Sequence, residues 1–134
     1  MNRSIYINIS VKDLAKAIDF YTSLGFEQNL DFSNDDGACI VITDNIYLMV
    51  LTKEFFQTFT DKDISDSNKA TETILSISAD SKEEVDELAD KAVQYAGMPL
   101  KEAANELDFM YVRNFQDLDG HMWEVVYMDP TAAS

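Results

Sequence analysis

In "FQDLDGHMWEVVYMDP", residues 115–130, Glu124 lies between apolar neighbours in a stretch that reads as a turn followed by a strand. A carboxylate buried there without a partner is costly, so Glu124 must be paired or must bind something. Two pairings are open. If Leu118 and Asp119 form a two-residue turn, Arg113 lies opposite Glu124; if the loop is one residue longer, the neighbour is Asn114. A hydrogen-bonded Glu in such a place can recognise a cationic or hydroxyl-bearing ligand. It becomes a general base if burial raises its pKa, which makes Glu124 the one catalytic candidate. His121, the only histidine, is three residues away along the strand, on the opposite face by alternation. It reads as a residue that caps the turn or packs on the outer side.

Other chemistry is thin. The single cysteine, Cys39 in "ACIVIT", reads as a buried structural thiol, and no internal disulfide is available, which points to a reducing compartment. No nucleophile has a base beside it, and "DLDG" is a hairpin turn rather than a phosphate loop. Twenty-five Asp and Glu against 10 Lys and Arg give a net charge of −15. That disfavours nucleic acid and anionic membranes, and it suits solubility or attraction of a cationic small molecule. No signal peptide or membrane span is visible, so a cytoplasmic protein is expected.

These residues need elements to position them. Residues 5–11 alternate as a half-buried strand, and Asp13 opens a helix with Leu14, Ala17, Ile18 and Tyr21 on one face, stopped by Gly25. Strands follow near 29–33, 37–43 and 46–51, with Gly37 in the "SNDDG" turn free to take positive φ. The second half repeats this grammar. "ILSISA" is a strand, and Ser81 with Glu84 forms a capping box. Val85, Leu88, Ala89 and Ala92 share a helix face up to Gly97, and strands are expected at 100–105, 109–115 and 121–128. The expected organisation is a first module over 1–52, a linker with a short amphipathic helix over 53–72, and a second module over 73–134, in one compact domain.

The chain resembles the vicinal oxygen chelate superfamily of glyoxalases, bleomycin-resistance proteins and extradiol dioxygenases. The resemblance rests on "ISVKDLAKAIDFYTSLGF" and "FQDLDGHMWEVVYMD" and spans nearly the whole chain. It implies an α+β fold in which two βαβββ modules form an open, eight-stranded, barrel-like groove. Metal-dependent members carry one ligand on the first and one on the last strand of each module. Those positions fall here at Tyr6, Met49, Ile74 and Glu124, and only Glu124 is a proper ligand. The resemblance therefore implies a member whose metal site has degenerated, with no cofactor expected and a divalent metal as the open alternative. Glu124 would be its one ligand.

The leading expectation is a homodimer that binds a small organic molecule, cationic by analogy with the acidic bleomycin-resistance branch. Its lining residues would be Tyr6, Asn8, Met49, Ile74, Met110, Arg113 or Asn114, and Glu124. The alternative is a metal-dependent glyoxalase-like lyase or isomerase, or a dioxygenase, with a non-standard ligand set that includes Glu124. A third reading is an interaction module that docks a partner through "EFFQTF".

Overall fold

The computed structural model describes residues 2–96, 105–107 and 109–130. The chain divides into two compact units, residues 1–65 and 66–134. In the first unit, β1 (Ile5–Val11) leads to α1 (Leu14–Ser23), followed by β2 (Glu27–Asn34), β3 (Gly37–Thr43), β4 (Ile46–Thr52) and a short α2 (Lys53–Gln57). The second unit repeats the order with β5 (Ile74–Ser78), α3 (Lys82–Ala96), β6 (Asn105–Leu107), β7 (Met110–Gln116) and β8 (Met122–Met128). Both are βαβββ modules, the α+β architecture expected from the sequence. Each makes its own four-stranded sheet, β1-β4-β3-β2 and β5-β8-β7-β6, so hydrogen bonding does not close the strands into one barrel. Among the described residues no helix is long and apolar enough to cross a membrane.

Local chemistry explains the boundaries. The Asp13 carboxylate accepts the Lys16 N–H at 3.1 Å and starts α1, and Gly25 at φ +103° ends it. Ser81 Oγ likewise accepts the Glu84 N–H at 3.1 Å. The Glu84 carboxylate reaches back one residue beyond the expected box, to the Asp80 N–H at 2.7 Å. The expected stop at Gly97 and most of the expected 100–105 strand lie outside the described residues. Gly37 corrects one expectation: among the described glycines positive φ occurs at Gly25 and Gly120, and not at Gly37. It supplies space, because a Cβ there would sit 2.6 Å from Leu51 Cδ2.

In each unit the long helix packs on one face of the sheet. Ala17, Phe20 and Tyr21 of α1 are buried, as are Ile9, Ala38, Ile40, Leu48 and Val50, which share a face of the first sheet. Phe20 replaces the expected Leu14 and Ile18, which are only half-buried. In the second unit Val85, Ala89 and Ala92 of α3 are buried, together with Phe115, Trp123 and Val125 of the sheet. Phe115 and Trp123 are direct cross-strand partners with stacked rings 6.1 Å apart. A fully buried Val, Leu or Phe contributes about 1.5–3 kcal/mol, against about 0–1 kcal/mol for an exposed ion pair, so the apolar layer is what seats α3. The polar segment after α2 is not featureless: Lys69 and Ala70 donate to Asp66 O at 2.9 and 3.0 Å, closing a turn.

Candidate functional site

The hairpin between β7 and β8 fixes what faces Glu124. Asp117 N–H donates to His121 O at 3.0 Å, and the buried Asp117 carboxylate accepts the Asp119 and His121 N–H groups at 2.9 and 2.8 Å. Gly120, at φ +89°, completes this loop. The loop is thus one residue longer than the "LD" turn. The register pairs Asn114 with Glu124 and Arg113 with Val125.

Arg113 and Glu124 consequently point to opposite faces of the sheet. Arg113 turns to α3, where its Nη1 meets Asp86 Oδ1 at 3.0 Å and Asp90 Oδ1 at 2.8 Å. The Tyr111 hydroxyl donates to the same Asp86 oxygen at 2.6 Å. The Tyr111 hydrogen bond, aided by Arg113, outweighs desolvation and holds the Asp86 carboxyl below its usual value. Arg113 loses to burial but gains more from its two carboxylates, and its pKa rises. The cross-strand Arg113–Glu124 pair weighed from the sequence does not form.

The face opposite α3 carries a short polar row. Ser76 on β5, Glu124 on β8 and Asn114 on β7 are direct neighbours across three strands. Ser76 Oγ donates to Glu124 Oε1 at 2.7 Å. Among the described residues Glu124 Oε2 receives no hydrogen bond and the Asn114 amide makes none, so both remain available. Ile74 and Met122, paired with each other, share this face one step along, and Met110 lies further along β7 on the same face. The arrangement can accept one hydrogen bond at Oε2, then offer or accept another at Asn114, beside thioether and aliphatic surface. Ser76 was missed from the sequence. Alternation from Ile74 places it on this face, but its pairing with Glu124 spans 48 residues and is set only by the parallel register.

The corresponding face of the first sheet holds the remaining candidates. Tyr6 stacks on its partner Tyr47, with centroids 5.0 Å apart and planes 12° apart. Asn8 donates from its amide to Tyr6 O at 3.3 Å and pairs with Met49, which in turn pairs with Cys39. Cys39 is buried, and burial pushes its thiol pKa up, which makes it a poor nucleophile. The His121 backbone N–H donates to the Asp117 carboxylate that caps the turn, and its side-chain Nδ1 lies 3.2 Å from Ser67 Oγ.

The sequence matches the Glyoxalase/Bleomycin resistance protein/Dioxygenase superfamily over residues 3–125. The chain belongs to that superfamily. Solved structures agree in fold. A hypothetical protein from S. aureus is 26% identical, with a TM-score of 0.79 and 95% of each chain covered. A glyoxalase-related enzyme from Fulvimarina pelagi is 19% identical, with a TM-score of 0.78, covering 95% of this chain and 88% of that one. A lactoylglutathione lyase from Agrobacterium tumefaciens is 17% identical, with a TM-score of 0.68, covering 95% and 94%. Comparison with curated proteins finds no match.

Membership raises the question of a metal, and the donor chemistry answers it poorly. Tyr6 is stacked, Met49 offers a thioether, Ile74 has no donor and Glu124 offers one carboxylate already shared with Ser76. Among the described residues no three His, Cys, Asp or Glu side chains converge. The superfamily's divalent ion does not fit these residues.

Proposed function

We propose that this superfamily member is a binding protein for a small organic molecule, recognised on the face of the second sheet that carries Glu124. One observation carries this reading. Ser76 fixes one carboxylate oxygen of Glu124, while among the described residues the other oxygen and the neighbouring Asn114 amide make no hydrogen bond. A ligand that presents an ammonium or hydroxyl donor to Oε2 would gain a charge-assisted hydrogen bond, and Met122 and Ile74 would take its apolar part. The net charge of −15 favours a cation.

The test has two arms. Metal content is measured on protein purified without chelator and again after soaking in Ni, Zn, Mn and Fe(II). Organic cations are then screened against wild type and Glu124→Gln by calorimetry. The expected result is substoichiometric metal and a cationic ligand whose affinity falls about tenfold or more in Glu124→Gln, the loss typical of a hydrogen bond to a charged group. Near one metal per chain, lost in Glu124→Ala, overturns the reading in favour of a metal-dependent lyase, isomerase or dioxygenase.

A further inference from the structure

The face of the second sheet that carries Glu124 is banded. Its polar row, Ser76, Glu124 and Asn114, crosses β5, β8 and β7. The register sets Ile74, Met122 and Gln116 on one side of that row, and Ser78, Val126 and Val112 on the other. Alternation brings all of them to one face, with neighbouring rows roughly 6.6 Å apart at about 3.3 Å per residue. Met122 and Val126 therefore flank Glu124 along β8 itself, with Ile74 beside Met122 and Val112 beside Val126. Ile74 is exposed, and Met122, Val112 and Val126 are half-buried, so these side chains are not sealed in the core.

The acceptors stand between these apolar flanks. Ser76 Oγ holds Glu124 Oε1, and among the described residues neither Oε2 nor the Asn114 amide makes a hydrogen bond. Glu124 and Asn114 are direct cross-strand partners. Side chains so placed have Cβ atoms about 4.5–5.5 Å apart, and one nitrogen between them can donate to both at about 2.9 Å.

This arrangement discriminates among cations. A primary ammonium has one carbon arm, which covers one apolar flank and leaves the other in water. A tertiary ammonium has a single N–H and a quaternary one has none, so one or both acceptors go unmet. A secondary ammonium has two N–H donors and two carbon arms that point apart. We propose, on the reading that Glu124 is the cation's contact, that the ligand is a secondary ammonium with an apolar arm on each side of its nitrogen. One N–H goes to Glu124 Oε2 and the other to Asn114 Oδ1. One arm lies over Ile74 and Met122, and the other over Val112 and Val126.

The experiment is calorimetric titration of the full chain at pH 7 with dibutylammonium, N-methyldibutylammonium, dibutyldimethylammonium and octylammonium, all of equal charge. The first three keep both arms and lose one N–H at each step, whereas octylammonium puts the carbons of dibutylammonium into one arm. The expected result is tightest binding of dibutylammonium, with N-methyldibutylammonium weaker by about tenfold or more, as loss of one charge-assisted hydrogen bond implies. Octylammonium should also bind more weakly than dibutylammonium, because one flank stays uncovered. In Asn114→Ala the gap between dibutylammonium and N-methyldibutylammonium should close. Equal affinities for dibutylammonium and dibutyldimethylammonium overturn the proposal, as does octylammonium binding as tightly as dibutylammonium. If those affinities still fall in Glu124→Gln, the wider reading of Glu124 stands without the secondary ammonium. Affinities unchanged in Glu124→Gln remove both. No saturable binding of any of these cations at millimolar concentration overturns the secondary ammonium, whatever other cations bind at Glu124.

Discussion

The Ser76 hydroxyl holds one oxygen of Glu124 at 2.7 Å, and the two side chains respond differently to substitution. Glu124→Gln keeps an acceptor for Ser76 and removes the charge, so unfolding free energy should move by less than about 1 kcal/mol while affinity for a cationic ligand falls. Ser76→Ala leaves the carboxylate charged but unfixed; it should cost about 1 kcal/mol in urea unfolding. If Ser76→Ala costs nothing, the hydroxyl is not what positions the carboxylate. Across the sheet, Tyr111→Phe tests the Asp86 network. Asp86 has a lowered folded pKa, caused first by the Tyr111 hydroxyl, so its stabilising contribution is present above the ordinary carboxylate value. It is lost as pH falls through the depressed value. The variant should therefore be less stable than wild type by about 1 kcal/mol at pH 7, and the gap should shrink as the pH is taken below the ordinary carboxylate value. A gap that widens in acid would contradict the sign.

At the scale of elements, the turns decide the register that the strands alone leave open. Gly120 needs both its backbone conformation and its missing side chain: at φ +89°, a Cβ would lie 2.5 Å from Asn68 Oδ1 and 2.8 Å from Asn68 N. Gly25, at φ +103°, has nothing within 4 Å of the same added atom. Gly25→Ala should thus show backbone strain alone, about 1–3 kcal/mol, and Gly120→Ala clearly more, because the turn after Asp66 must also shift. Equal losses in urea melts would mean that the 66–70 turn gives way freely. The same loop shows where sequence reading stops. Alternation and caps sufficed for β1, α1, β3, β5 and the start of α3, since those signals are local. The choice between Arg113 and Asn114 as the neighbour of Glu124 was not legible, because it depends on Asp117 closing the loop at His121 rather than on the turn residues themselves. Ser76 was hidden for the same kind of reason: the β5–β8 pairing is parallel and distant in sequence. Arg113 was misleading because its true partners, Asp86 and Asp90, are an i, i+4 pair on α3, whose sequence signals are its apolar face and its cap.

For the whole molecule, the superfamily sets the architecture, and the proposal of a binding protein without an ion rests on Tyr6, Met49, Ile74 and Glu124 supplying a single carboxylate. What remains distinctive globally is charge. With 25 acidic and 10 basic residues, the surface potential draws cations from a distance that shrinks with salt, since the Debye length falls from about 30 Å at about 10 mM to about 8 Å at physiological ionic strength. The field acts mainly on encounter, whereas the contact with Glu124 acts mainly on residence. A cationic ligand of the Glu124 face should therefore lose association rate several-fold between about 10 mM and about 150 mM NaCl, with its dissociation rate nearly constant. An uncharged ligand of the same shape should show neither change. In Glu124→Gln the salt slope of the association rate should be almost that of wild type, because one charge in 15 is removed, while dissociation becomes faster. Stopped-flow fluorescence across a salt series separates the two rates. A salt-independent association rate in wild type would mean that the acidic surface keeps the protein soluble and plays no part in capturing its ligand.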